Sequence, residues 1–72
     1  MIRLTGRVKF FEYARGYGFI VGNDGREVFF HRKEIAIRNH DKRVLKKKQP
    51  VSFQIGPGLK GLEAKRVMPI PG

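Results

Sequence analysis

Cysteine and tryptophan are absent from this 72-residue chain, and acidic residues are scarce, with six Asp and Glu against sixteen Lys and Arg. Without cysteine there are neither disulfides nor thiolate metal sites. Two histidines, in no ligand-like spacing, do not make a zinc centre. The carboxylates Glu12, Asp24, Glu27, Glu34, Asp41 and Glu63 are scattered, and no pair has the spacing of a metal-binding cluster that would support hydrolysis. The expectation is a protein that is not an enzyme and carries no cofactor. No run approaches the roughly 20 apolar residues of a membrane helix, and Met1-Ile2-Arg3-Leu4-Thr5-Gly6 lacks the apolar stretch of a signal peptide. A soluble cytoplasmic protein is therefore expected. A chain of this length forms one small domain that buries only about 60% of its unfolded surface, so its stability is marginal.

What the chain has in excess is positive charge, +10 overall. Such an imbalance in a small domain favours a polyanionic partner, whether DNA, RNA or an acidic membrane surface. The aromatic residues tilt the choice. Arg15-Gly16-Tyr17-Gly18-Phe19-Ile20 is followed by Val28-Phe29-Phe30-His31. In an extended strand successive side chains alternate between faces, so Tyr17 and Phe19 share one face, and Phe29 and His31 share one in the second segment. Two neighbouring strands offering rings to the same side make a platform on which unpaired bases can stack. Aromatics in a small β protein usually belong to the core. Here, however, a second apolar set (Ile20, Val28, Phe30) occupies the opposite face, and a small barrel has only one interior.

Residues 4–11 read as a first strand, rich in β-branched and aromatic residues, and 12–16 as a short connection. Residues 17–21 form the second strand, Gly22-Asn23-Asp24-Gly25 a turn, and 26–31 an antiparallel third strand. Val51, Phe53 and Ile55 alternate with Ser52 and Gln54 in a fourth. Gly56-Pro57-Gly58 breaks the pattern before a fifth over 62–68, where Ala64 and Val67 share a face only if a bulge intervenes. Residues 69–72 read as an irregular Pro-rich tail outside a barrel spanning 1–68. Between strands three and four, residues 32–50 form a long basic loop with Arg38, Lys42, Arg43, Lys46, Lys47 and Lys48, and one helical turn within 33–37. Loops of this length in compact domains are commonly functional. The class expected is all-β, a closed five-stranded antiparallel barrel, since closure removes exposed strand edges. The expected core is Leu4, Val8, Ile20, Val28, Phe30, Ile35, Val51, Phe53, Ile55, Ala64 and Val67.

These segments resemble the cold-shock domain, the small OB-fold barrel of bacterial cold-shock proteins. Lys9-Phe10-Phe11 is similar to the family's Lys-Trp-Phe, residues 15–20 to its first ribonucleoprotein motif, and Val28-Phe29-Phe30-His31 to its second, Val-Phe-Val-His. Residues 49–53 with 58–61 resemble the last two strands and the loop between them. The resemblance covers nearly the whole chain apart from the basic loop and the tail. It departs from the family at Phe10, which stands for the tryptophan, and at Arg32, which stands for an aromatic after the motif histidine. His40 and Tyr13 are the candidates for the family's loop aromatic. Lysines also replace the usual acidic loop residues.

The resemblance and the residues together imply binding of single-stranded RNA or DNA. Bases would stack on Phe10, Phe11, Tyr17, Phe19, Phe29 and His31, with Lys9, Arg15, Arg32 and Lys60 meeting phosphates or bases. A guanidinium plane at position 32 can itself stack on a base. The family further implies a nucleic-acid chaperone that traps unpaired strands, melts weak secondary structure and affects transcription or translation without ATP. A monomer is expected, since nothing in the sequence demands a dimer. An alternative is a basic barrel that docks on structured RNA such as the ribosome. It differs in preferring folded RNA to an unstructured strand.

Overall fold

The computed structural model describes residues 3–36, 45–59 and 61–70. Five strands are present, β1 (Leu4–Glu12), β2 (Tyr17–Gly22), β3 (Glu27–His31), β4 (Pro50–Gly58) and β5 (Gly61–Pro69), with a 3₁₀ turn over Arg32–Glu34. They close into a barrel in the order β1-β2-β3-β5-β4, with β4 returning to β1. The four other pairings are antiparallel, but β3 meets β5 in parallel at Phe29 and Glu63. The parallel contact continues as a bridge between Ile35 and Val67. The barrel is thus closed by a mixed rather than a wholly antiparallel sheet. β5 runs on through Pro69, opposite Val51, and the Ile70 N–H donates to the Pro50 carbonyl. β5 therefore runs one residue past the expected barrel boundary at 68.

The core consists of Val8, Ile20, Phe30, Ile35, Leu45, Val51, Phe53, Ala64 and Val67. Leu45 was hidden in the basic loop, where no period marks it. Conversely, Leu4 and Ile55 are 43% and 39% exposed although they follow the alternation of their strands. They line a recess with Phe53, Val28 and Leu62 beside the β2–β3 turn, so a position that alternates inward there is not sealed. Val28 is partly buried against the core.

Two bulges set which side chains face out. In β1 the register shifts between Val8 and Phe10: Val8 opposes Ile20 while Phe10 opposes Phe19 and Phe11 opposes Gly18. One extra residue reverses the alternation, so Phe10 joins the outward set and Phe11 the inward one. In β5, Ser52 opposes Met68 but Gln54 opposes Lys65, which leaves Arg66 and Val67 opposite Phe53 alone. This is the bulge that lets Ala64 and Val67 both reach the core, and Arg66 absorbs it at φ 50°. The left-handed backbone is held from both sides. Its N–H donates to Glu34 Oε1 at 3.3 Å, and Arg3 donates to its carbonyl.

Gly18 faces inward between Phe11 and Phe30. A Cβ there would overlap the Phe10 carbonyl oxygen and come within 2.8 Å of the Phe30 ring. Glycine at this position lets the Phe30 ring, which is fully buried, lie against the β2 backbone. Of the basic loop, residues 37–44 lie outside the described residues, and with them Arg38, His40, Asp41, Lys42 and Arg43. Lys46, Lys47 and Lys48 are exposed, and the segment is tied to β1 by hydrogen bonds from Lys48 N–H to the Val8 carbonyl and from Val8 N–H to the Gln49 carbonyl. The lysine run therefore borders β1 on the edge away from β2.

Candidate nucleic-acid interface

Four rings form one continuous outward cluster. Phe10 lies 5.4 Å from Phe19 and 6.2 Å from Tyr17, centroid to centroid. Tyr17 stacks on Phe29 at 5.6 Å with 20° between the planes, and Phe19 meets Phe29 edge-on at 5.7 Å. Parallel and T-shaped contacts at these distances are the favoured geometries of aromatic pairs, so the rings hold one another in place. Each remains half-buried, with part of its surface open to solvent. Three strands supply the cluster: Phe10 from β1, Tyr17 and Phe19 from β2, and Phe29 from β3. The β1 bulge is what brings Phe10 into it.

His31 sits directly across from Tyr17 in the β2–β3 ladder. Its Nδ1 accepts the Lys33 N–H at 3.3 Å, which caps the 3₁₀ turn and orients the ring. Arg15, Tyr17, Phe19, Phe29, His31, Leu62 and Glu63 line an open recess of about 580 Å³. The platform therefore continues past β3 to the first residues of β5.

The remaining candidates are placed differently. Phe11 stacks on Phe30 at 5.7 Å and meets Tyr13 edge-on at 6.3 Å, so its ring partners lie outside the four-ring cluster. Arg32 reaches back to the β1–β2 turn. Its guanidinium lies 5.2 Å above the Tyr13 ring and donates to the Tyr13 carbonyl at 3.0 Å, while its backbone N–H donates to the Gly16 carbonyl. It fastens that turn, and Tyr13 is the ring on which it stacks. Lys9 pairs with Glu27 at 3.0 Å, both side chains about half exposed, an arrangement worth little in water. Arg15 is exposed at the end of the turn, next to Tyr17. Lys60 lies outside the described residues. Among the described residues no group of three or more His, Asp or Glu side chains is placed to hold a metal ion. None of the described helices is long and apolar enough to cross a membrane.

Sequence reasoning missed Leu62 and Glu63. The β5 alternation is readable only once the bulge has been located, and nothing local marks a glutamate as buried. The parallel β3–β5 contact, which carries both residues to the platform edge, joins segments far apart in the chain.

A closed five-stranded barrel with an outward aromatic cluster on its first three strands and a basic surround defines the OB-type class of small barrels. The comparisons with known proteins are narrower. The family model of the 'Cold-shock' DNA-binding domain matches residues 4–70, and the chain belongs to this nucleic-acid-binding family. A cold shock-like protein (CspD) of Vibrio cholerae is 44% identical over 70 residues, covering 94% of this chain and 88% of its own. A cold shock-like protein of Thermotoga maritima is 39% identical over 64 residues, covering 89% of this chain and 94% of its own. Among solved structures, a Drosophila Unr fragment (CSD456) superposes with a TM-score of 0.78 at 22% identity. That likeness shows the fold, spanning 97% of this chain and 27% of the other.

Proposed function

We propose that this protein binds single-stranded RNA or DNA by stacking successive bases on Phe10, Tyr17, Phe19, Phe29 and His31. The observation that carries this reading is the four-ring cluster facing solvent while a separate apolar set fills the barrel. Each stacked base contributes about 1–3 kcal/mol, and every base has a face to stack, so the platform is tolerant of sequence. Phe11 supports the inner ring layer from the β1 end. Arg15, Lys9 and the lysines at 46–48 meet phosphates, with Lys60 as a further contact on the hairpin, and Arg32 fixes the turn that carries Arg15. Duplex DNA hides its base faces and gains only from the charge. A strand held this way is kept from pairing with itself, which makes the protein a chaperone of unpaired nucleic acid in the cytoplasm. It acts as a monomer, without catalysis and without ATP.

The two tyrosines and the absence of tryptophan give a direct test. In a Tyr13→Phe variant the emission comes from Tyr17 on the platform, and in Tyr17→Phe it comes from Tyr13 off it. Titration with a single-stranded oligonucleotide quenches the first strongly and the second weakly. Equal quenching of the two, or none, contradicts base stacking at this site.

A further inference from the structure

We propose that Glu63 reads the edge of the base stacked at the Phe29 end of the platform, favouring guanine and disfavouring thymine and uracil. The proposal rests on the stacking reading above. Glu63 is the direct β5 partner of Phe29 across the parallel contact, so its side chain leaves the sheet on the same face as the Phe29 ring. It lines the same recess as Phe29, His31 and Arg15, with the 69% exposed Leu62 as an apolar wall. Although it faces outward, the residue is only 8% exposed. Gly58 makes the space, since a Cβ at that position would overlap the Glu63 carboxylate.

The charge around Glu63 is unusual for a chain carrying +10. Its Oε2 lies 3.5 Å from Lys65 Nζ, and that same ammonium is 3.7 Å from Glu34. Among the described residues, one cation between two carboxylates leaves a net negative charge here. Glu34 is further engaged by the Arg66 N–H, so Glu63 is the carboxylate with the greater capacity to accept. Phosphates are repelled from this corner and drawn to Arg15 on the far side of the recess. What fits beside a largely desolvated carboxylate is a ring edge that donates hydrogen bonds.

The base edges differ in that respect. Guanine presents N1–H and the N2 amino group side by side, matching the two oxygens of one carboxylate. Adenine and cytosine offer one amino group beside a ring acceptor. Thymine and uracil place their single N–H between two carbonyl oxygens, which face the carboxylate unfavourably. Discrimination by a bidentate contact of this kind is on the order of tenfold. Glu63 thus adds a base preference to a platform that otherwise reads none.

The test is fluorescence anisotropy of the full chain with a labelled seven-nucleotide oligothymidylate and with the same strand carrying one central guanine. Wild type binds the guanine strand about tenfold more tightly. In Glu63→Ala, and in the isosteric Glu63→Gln, this ratio falls toward one, and the ratio is insensitive to the charge the substitutions remove. Circular dichroism confirms that both variants are folded. A wild-type ratio near one, or a ratio that survives in both variants, overturns the proposal. Phe29→Ala measured alongside separates the two levels. If it weakens oligothymidylate binding while the ratio is unaffected by Glu63, stacking stands and the role of Glu63 falls. If it binds like wild type, the stacking reading falls and takes this one with it.

Discussion

The two faces of β2 and β3 are made from the same strands and from similar residues, yet they end in different environments. On the inner face Ile20 and Phe30 are fully buried and Gly18 is spaced to receive the Phe30 ring. On the outer face Tyr17, Phe19, Phe29 and His31 stay half-exposed, and the three rings Tyr17, Phe19 and Phe29 are held by contacts with one another and with Phe10. The inner set is closed by β1, β4 and β5. The outer set has nothing over it among the described residues. Apolar surface left open in this way carries a cost in water that a ligand can recover, and flat rings narrow the ligand to one with flat faces.

Substitutions on the two faces should therefore have opposite signatures. Phe30→Ala removes the largest share of the interior and costs about 3–5 kcal/mol, enough in a domain of this size to leave it largely unfolded by thermal melting. Phe29→Ala and Phe19→Ala, one residue or one strand away, change the melting temperature little. Each weakens single-strand binding by about 1–3 kcal/mol at any salt, with the salt slope nearly unchanged. Charge reversal of Lys46, Lys47 and Lys48 does the reverse, flattening the slope of log K against log salt by about 0.7 for each phosphate that is no longer neutralised. The smallest effect is at the β5 bulge. Arg66 holds a left-handed backbone that costs a side-chain-bearing residue energy, and Arg66→Gly keeps the backbone hydrogen bonds. That substitution stabilises the fold by up to about 1 kcal/mol, read as a melting temperature a few degrees higher. If Phe29→Ala unfolded the protein as Phe30→Ala does, the two faces would be one core.

The same contrast explains what could be read from the residues. Period-two alternation in 17–20 and 28–31 carries both faces of the β2–β3 pair without further information, because those strands are regular and joined by a short turn. Alternation fails where the register slips. Phe10 and Phe11 are indistinguishable until the β1 bulge assigns them to opposite sides, and the β5 bulge similarly decides the place of Val67. Leu4 and Ile55 alternate correctly but sit where the barrel is not sealed. Arg32 carries the charge and position of a platform residue, yet a neighbouring tyrosine and a turn carbonyl engage it first. Glu63 is the extreme case. Its position depends on the parallel β3–β5 contact, which joins distant segments and leaves no local periodicity.

In the proposed binding mode the open rings, and not the net charge, hold the nucleic acid. Fluorescence anisotropy with labelled single strands and the matching duplex, each across a salt series, tests it most directly. The expected result is a strong preference for the single strand that persists at moderate salt, where charge-driven binding has faded. Equal affinity for duplex and single strand, with both vanishing together as salt rises, would contradict it.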